Sequence, residues 1–279
     1  SDVSALDDPG WMALFPRIPV TLGHENAGVI SEVGAGMDHW KVGDRVGLAP
    51  VMPDGDAIGY GAWDGGYGPK LRATDANLVK LPDEVPFDLG ALATDAGLTA
   101  YHALVAVGGA RAGMKVGIIG LGGLGYVGAR VAALMGCEVY GADVAAAPRA
   151  LADEIGLTGV AESIEAFAEA KLDLIVDYAG FGTTTAQALT VLAEFGTLVQ
   201  VGMGKLESTI STYPLIINQL SIRGSKSGTK EDLAALYDLM KSGDLKPPMN
   251  LITQADIPDA LDKLRVGGVV GRFVAMYED

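Results

Sequence analysis

Residues whose side chains could do chemistry stand far apart in this sequence. His24 and Glu25 follow Gly23 in a proline-rich approach, and Asp95 begins a stretch of helical character. An imidazole beside a carboxylate can bind a metal ion. Each group also has a structural interpretation, because a His beside a Glu often forms a hydrogen-bonded pair and an Asp at a helix start is often an N-cap.

A second chemical pattern lies at 115–143. A Val/Ile run at 116–119 leads into a glycine-rich turn, then into apolar residues at near-helical spacing, then into a β-type run at 139–142. A strand, glycine turn, helix and strand in this order predict a dinucleotide-binding unit. The residues predicted to bind the cofactor in this turn are Gly120, Leu121, Gly122, Gly123, Leu124 and Gly125.

The glycines of this turn have separate physical roles. Gly120 allows the tight exit from the strand, Gly122 lets the backbone approach a pyrophosphate, and Gly125 lets helix and strand pack closely. The helix N-terminus offers free N–H groups and a positive dipole end to phosphates.

The residues after the second strand bear on the choice of cofactor. Asp143 lies 18 residues after Gly125, near the place of the carboxylate that binds the adenosine ribose. An acid there favours NAD over NADP, because it repels a 2′-phosphate. Arg149 has three interpretations: it accommodates that phosphate, touches the ribose edge, or is a surface charge.

The composition limits the class of protein. Of 279 residues, 49% are hydrophobic and 20% charged, enough to bury a core in one large or two medium domains. A formal net charge of −15 argues against nucleic acid or an anionic membrane as a partner. The single Cys137 excludes an internal disulfide and a CxxC zinc knuckle, and is compatible with a cytoplasmic location. The most apolar stretch, 116–136, is broken by glycines and an arginine, so we predict no membrane span there.

The elements that must position these residues follow from periodicity. Residues 1–94 show short β-type runs between Gly, Pro and Asp turns, whereas βα alternation continues after the glycine turn. This alternation predicts an α/β fold with a doubly wound parallel sheet, with further strands at 172–177, 197–201 and 220–223. The tail has an amphipathic pattern at 257–265 and a β-type run at 272–276, and we expect it to return to the N-terminal region.

The order of four motifs resembles the zinc-dependent medium-chain alcohol dehydrogenases. These motifs are GHE, VGDRV at 42–46, TDAGLTAYHAL and GLGGLG, and the resemblance covers essentially the whole chain. It implies a Rossmann domain plus a β-rich, GroES-like catalytic domain. The predicted division is 1–100 for the catalytic domain, 101–241 for the Rossmann domain and 242–279 for the return to the catalytic domain.

The resemblance also implies one catalytic zinc. Its ligands would be a cysteine, His24 and Asp95, with Glu25 in or near the first shell. Ser1-Asp2 matches the second half of the family's cysteine motif, so the cysteine would fall two positions before Ser1, and we expect the chain to be truncated at its N-terminus. Residues 50–69 stand where many relatives have a four-cysteine lobe and contain no cysteine, so no structural zinc is expected.

Further roles follow from the same resemblance. The Ser1 hydroxyl would relay a proton, Thr99 would lie near the nicotinamide, and Arg272 would approach the pyrophosphate, although a surface salt bridge is the alternative for Arg272. The backbone at Val201 and Gly202 would face the carboxamide. Family members often pair through a sheet edge, so we expect a homodimer or homotetramer.

The function expected from this resemblance is hydride transfer between NAD(H) and a small alcohol, aldehyde or ketone, with zinc as Lewis acid. Two alternatives stay open at this stage. One is a zinc-independent quinone or enoyl reductase of the same fold, and the other is a truncated, non-catalytic NAD-binding protein.

Overall fold

The structure is a computed structural model that describes residues 2–13, 15–52 and 56–277. The strands in these ranges are β1 Asn26–Val29, β2 Arg45–Leu48, β3 Leu78–Lys80, β4 Lys115–Ile119, β5 Glu138–Ala142, β6 Gly159–Ala161, β7 Leu172–Asp177, β8 Leu192–Gln200, β9 Ser221–Gly224, β10 Met249–Thr253 and β11 Arg272–Met276. The α-helices are α1 Asp2–Asp7, α2 Pro9–Met12, α3 Phe87–Leu92, α4 Leu98–Tyr101, α5 Gly123–Leu134, α6 Ala146–Arg149, α7 Ala152–Ile155, α8 Thr183–Val191, α9 Thr212–Ile217, α10 Lys230–Met240 and α11 Ile257–Val266.

The chain forms two compact units. Unit 1 consists of Ser1–Leu98 and Gly228–Asp279, and unit 2 consists of Thr99–Ser227. Unit 2 holds the glycine turn, whereas unit 1 holds His24, Glu25 and Asp95.

Unit 2 is built on a six-stranded parallel sheet with the order β6-β5-β4-β7-β8-β9. Its central strands β4 and β7 are almost continuously apolar and buried, as expected for strands covered on both faces. The predicted doubly wound parallel sheet is therefore confirmed. The order changes direction between β4 and β7, and ligands of such sheets bind beyond the carboxyl ends of the strands at this switch point.

One strand of this sheet begins earlier than its pattern predicts. The β-type run suggests a start at Thr197, but β8 begins at Leu192. Leu192 pairs with Leu172, the register then shifts, and Phe195 has a positive φ of 65°. The irregular backbone hides this early part of the strand from a period-2 pattern, because alternation is lost across the shift.

Unit 1 contains a small antiparallel sheet with the order β1-β2-β3, and a parallel pair formed by β10 and β11. Val46, Leu48 and Ile58 form a buried core beside this sheet. The C-terminal segment adds α10, which begins with a capping box at Thr229 and buries Tyr237. The Tyr237 hydroxyl donates to the Gly90 carbonyl at 2.9 Å, which ties α10 to α3.

The segment that we predict as a helix over 95–107 is helical, but it is not a regular α-helix. A π-helical turn at Ala93–Gly97 precedes α4, and a second one, His102–Val107, follows it. Wide turns of this kind are rare and often occur at functional sites. In the part of the chain that the structure describes, no helix has both the length and the apolar character needed to cross a bilayer.

Candidate metal and dinucleotide sites

The structure brings His24 and Asp95 together in unit 1. Nε2 of His24 lies 3.1 Å from Oδ2 of Asp95. Their neighbours fix this approach, because the Thr94 hydroxyl accepts the Asn26 N–H at 3.0 Å and the Glu25 carboxylate accepts the Ala96 N–H at 3.0 Å. The two residues that follow His24 are therefore bonded to the π-helical turn on both sides of Asp95.

One donor atom from each of His24, Glu25 and Asp95 lies within 4.8 Å of the others. The three residues that the sequence singles out as metal ligands thus form one cluster, although Asp95 is 71 positions from His24. Two donors at zinc distance in a tetrahedral site are separated by about 3.3 Å, given bonds of about 2.0–2.1 Å. The His24–Asp95 separation is close to this value.

The His24 ring is buried between two carboxylates. Its Nδ1 lies 3.5 Å from Oδ1 of Asp2, while Nε2 faces Asp95. Burial lowers the pKa of His24, but Asp2 and Asp95 outweigh it and raise the pKa to about 10. Burial likewise raises the pKa of Asp2, whereas His24 and the Tyr60 hydroxyl favour its carboxylate and lower the pKa to about 2.

These observations test whether the cluster fits a metal ion. It combines an imidazole with carboxylates, a donor set that zinc accepts. Nδ1 of His24 is buried and has no aligned hydrogen-bond partner in the described structure. A metal on Nε2 requires the proton on Nδ1, where the Asp2 carboxylate faces it, and this carboxylate–histidine–metal arrangement is common in metal sites. The cluster of His24, Glu25 and Asp95 therefore fits a zinc ion.

Glu25 is held by a guanidinium and by a backbone N–H. Both its oxygens lie 2.7 Å from Nη2 of Arg272, and Oε1 also accepts the Ala96 N–H. Arg272 is partly buried on β11, so the pair is not a surface salt bridge. The approach of Arg272 to a pyrophosphate stays a prediction.

The glycine turn of unit 2 has the geometry that its spacing predicts. Gly120 has a φ of +82°, which favours glycine, and a Cβ on Gly125 would lie 1.6 Å from the Gly120 carbonyl oxygen. A Cβ on Gly122, by contrast, would meet no atom within 4 Å. Gly122 is the N-cap of α5, and no side chain of a described residue caps this end. An open backbone cradle at a helix N-terminus fits a pyrophosphate.

Asp143 closes the glycine turn. Its Oδ2 accepts the Leu121 N–H at 2.8 Å and its Oδ1 accepts the Ala145 N–H at 2.8 Å. A carboxylate has about four acceptor positions, so capacity for ribose hydroxyls remains.

Arg149 is held by its own surroundings. Its Nη1 donates to the carbonyls of Asp143 and Val144 at 2.7 and 2.9 Å, and its Nη2 pairs with Glu162 at 3.0 Å. Because a carboxylate already pairs with this guanidinium, a 2′-phosphate would have to compete with Glu162.

The other residues predicted to contact the cofactor or relay a proton are Thr99, Val201, Gly202 and Ser1. Thr99 is buried in unit 2. The N–H groups of Val201 and Gly202 bind the Asp177 carbonyl at 3.0 and 2.9 Å, and the Gly202 carbonyl accepts from the Gln200 amide at 2.8 Å. They follow β8, so they share the carboxyl edge of the sheet with the glycine turn, as a cofactor site there requires. Ser1 lies outside the described residues.

Sequence reasoning missed the support around Asp2. Tyr60 and Tyr67 both donate to its carboxylate, from positions 58 and 65 residues away. Their segment resembles an ordinary long loop, and no spacing signal connects it to Asp2.

Together, a Rossmann unit with an open glycine turn and a separate unit with a His/acid cluster that fits a metal ion are typical of two-domain, nicotinamide-linked dehydrogenases. Comparisons with known proteins agree with this class. Residues 1–83 match the family model "Alcohol dehydrogenase GroES-like domain", and residues 123–242 match "Zinc-binding dehydrogenase".

The relatives narrow the class further. The chain is 31% identical to an alcohol dehydrogenase of Geobacillus stearothermophilus, over 93% of this chain and 83% of that protein. Among solved structures, it resembles the alcohol dehydrogenase of Aeropyrum pernix with a TM-score of 0.86 and 27% identity, over 97% of this chain and 87% of that one. It also resembles acetophenone reductase of Geotrichum candidum, solved with NAD, with a TM-score of 0.85 and 29% identity, over 100% of this chain and 85% of that one. The chain belongs to the medium-chain dehydrogenase/reductase family, and its fold is the expected Rossmann plus GroES-like combination.

Proposed function

We propose that this protein is an NAD(H)-dependent alcohol dehydrogenase or carbonyl reductase that uses one zinc ion. The observation that carries the proposal is the approach of His24 Nε2 to Asp95 Oδ2, at 3.1 Å, in a partly buried cluster. A pair of this kind serves metal binding, whereas a metal-free reductase has no evident use for it. The names of the relatives, alcohol dehydrogenase and acetophenone reductase, support the same substrate class of alcohols and ketones.

His24 and Asp95 would hold the zinc, with Glu25 close by. Bound zinc would supply Lewis-acid polarisation of an alcohol or carbonyl oxygen. Asp2 would keep the proton on Nδ1 of His24, so that Nε2 faces the metal. Glu25 already receives the Arg272 guanidinium on both oxygens and the Ala96 N–H on Oε1, so we assign Glu25 a secondary place.

NAD(H) would bind at the carboxyl edge of the unit 2 sheet. Bound NAD(H) would accept or deliver the hydride. The open cradle at Gly122 would receive the pyrophosphate, and Asp143 would bind the adenosine ribose. The Arg149–Glu162 pair supports NAD over NADP, because the guanidinium that could bind a 2′-phosphate already pairs with the Glu162 carboxylate. The contacts of Thr99, Val201, Gly202 and Arg272 with the cofactor, and the proton relay by Ser1, belong to this proposal as well.

Zinc content and cofactor kinetics test the proposal together. We expect about one zinc per chain, loss of alcohol oxidation after exhaustive chelation, recovery on adding zinc, and a kcat/KM that favours NAD⁺ over NADP⁺. Activity that survives chelation would instead identify a zinc-independent reductase. Tight NADH binding without turnover on alcohols, aldehydes or ketones would identify a non-catalytic protein.

A cytoplasmic location and a homodimer or homotetramer are part of the same proposal. Light scattering on the purified protein measures the oligomeric state. A monomer at micromolar concentration would contradict that part alone.

A further inference from the structure

Two tyrosines of one loop converge on a single carboxylate in unit 1. The Tyr60 hydroxyl donates to Oδ1 of Asp2 at 3.0 Å, and the Tyr67 hydroxyl donates to Oδ2 at 3.0 Å. Each oxygen of the carboxylate thus receives one phenol. The function proposed above gives these tyrosines no role.

Asp2 connects the phenols to the His24 ring. Its Oδ1, the oxygen bound by Tyr60, lies 3.5 Å from Nδ1 of His24. Nδ1 is buried, and in the described structure it has no aligned hydrogen-bond partner. Asp2 is therefore the acceptor that faces Nδ1, and its position governs the direction of the ring and of Nε2.

Tyr60 also contacts the ring itself. The two ring centroids are 4.7 Å apart with an interplanar angle of 75°, an edge-to-face contact. Tyr60 also stacks on Phe15, with 5.8 Å between the ring centroids, and contacts Trp11 edge-on, with 6.3 Å between the centroids. These aromatic neighbours restrict the tyrosine, so its hydroxyl has a defined position.

Tyr67 is fixed through the backbone. Its N–H donates to the Leu22 carbonyl at 3.0 Å, and the Gly66 N–H donates to the Gly23 carbonyl at 2.8 Å. The tyrosine ring lies so close to Gly23 that a Cβ there would come within 2.5 Å of it. Burial and the neighbouring Asp2 both raise the pKa of Tyr67, so the phenol remains a donor.

We propose that Tyr60 and Tyr67 are positioning residues that hold the Asp2 carboxylate against Nδ1 and thereby aim Nε2 of His24 at a bound metal ion. This inference rests on the proposed metal site. The loop that carries the two tyrosines would then contribute to metal affinity although it supplies no ligand. A purely structural role, in which the phenols only anchor the loop, predicts a different outcome.

Cobalt binding distinguishes the two roles. We would prepare Tyr60→Phe, Tyr67→Phe and the double variant, each with Asp2 and with Asp2→Ala. Phenylalanine keeps the ring packing and removes only the hydroxyl. Co²⁺ affinity would be measured at fixed pH by competition with a chromophoric chelator, and ligand geometry by the visible d–d spectrum of the Co²⁺ protein. Circular dichroism would confirm that each variant folds.

We expect the double variant to weaken Co²⁺ binding about 10- to 100-fold, the range for lost support of a metal-bound His, and to change the d–d spectrum. In the Asp2→Ala background the two tyrosine substitutions should change the Co²⁺ affinity less than about twofold, because the effects of residues that act through one partner are not additive. Tyr140→Phe is the matched control: its hydroxyl also donates to a carboxylate, Glu138, but in unit 2, and it should change nothing.

Two results would overturn the inference. One is an unchanged affinity and spectrum in the double variant. The other is an equal loss in both backgrounds, which would show that the phenols act on packing and not through Asp2. If the parent protein binds no Co²⁺, the proposed function fails and the tyrosines are tested separately by the ¹⁵N chemical shifts of the His24 ring. Those shifts should move in the double variant with Asp2 present, and unchanged shifts would overturn the positioning role.

Discussion

Removal of the Asp95 carboxylate is the sharpest perturbation of the proposed metal site. Structural zinc sites with four ligands bind with about 10–16 kcal/mol, so an equal share for one ligand is about 2.5–4 kcal/mol. The 3.1 Å contact with His24 Nε2 indicates that Asp95 is a full member of the cluster. We therefore expect Asp95→Ala to weaken zinc binding about 100- to 1000-fold, at 1.4 kcal/mol for each tenfold change.

NADH binding should persist in this variant, because the glycine turn and Asp143 belong to unit 2. The assays are zinc competition with a chromophoric chelator, NADH fluorescence titration and turnover of an alcohol panel. Asp95→Asn is measured beside the alanine variant, because it keeps the side-chain volume and one oxygen and is therefore expected to fold even if Asp95→Ala does not. It should weaken zinc binding less than alanine does.

Asp75→Asn is the matched control. Asp75 also pairs with a histidine of unit 1, His39, at 2.7 Å, but both side chains are half exposed. It should leave zinc content, turnover and NADH affinity unchanged. Unchanged zinc affinity and turnover in Asp95→Ala would refute the reasoning, since no metal could then depend on this carboxylate.

Three further predictions concern unit 2. Gly122→Val should raise the Kd for NADH at least about 100-fold with only a small loss of Tm, because the side chain enters the open cradle, where a Cβ meets no atom within 4 Å. Normal NADH affinity would contradict the assigned role of the turn. Gly125→Ala should lower the free energy of unfolding, measured with urea, by about 3 kcal/mol or more, because its Cβ would lie 1.6 Å from the Gly120 carbonyl oxygen. A variant as stable as the parent would show that α5 and β4 can separate there. Asp143→Ser should lower kcat/KM for NAD⁺ about tenfold and raise the ratio of kcat/KM for NADP⁺ to that for NAD⁺, because it removes both a ribose acceptor and a charge that repels the 2′-phosphate. An unchanged ratio in steady-state kinetics would show that other residues select the cofactor.

The sequence predicts unit 2 well because its signals are local. The glycine turn, the strand before it and the helix after it are contiguous, and their pattern is set by burial on both sheet faces. Strand β7, at Leu172–Asp177, and strand β11, at Arg272–Met276, have the bounds that the sequence predicts. The early start of β8 escaped prediction because a register shift at its beginning removes the alternation.

Unit 1 was predictable only in part, because its cluster is assembled from distant segments. His24 and Asp95 could be named from a motif order, but their 3.1 Å contact depends on the cross-links from Thr94 and Glu25 to the neighbouring backbone. The family resemblance places Arg272 near the cofactor, which stays a prediction, but it does not indicate the contact of this guanidinium with Glu25. A guanidinium close to a partly buried carboxylate pairs with it, and no one-dimensional pattern records that proximity.

Gly23 shows how one residue connects the predictable and the unpredictable parts of this site. It precedes His24 and has a φ of +96°, a conformation that L side chains rarely adopt. A Cβ at this position would also lie 2.5 Å from the Tyr67 ring. The glycine therefore turns the chain toward His24 and leaves room for the tyrosine whose hydroxyl binds Asp2. Because both demands fall on one position, the glycine before His24 supports the proposed metal site as much as the carboxylate that faces the ring does.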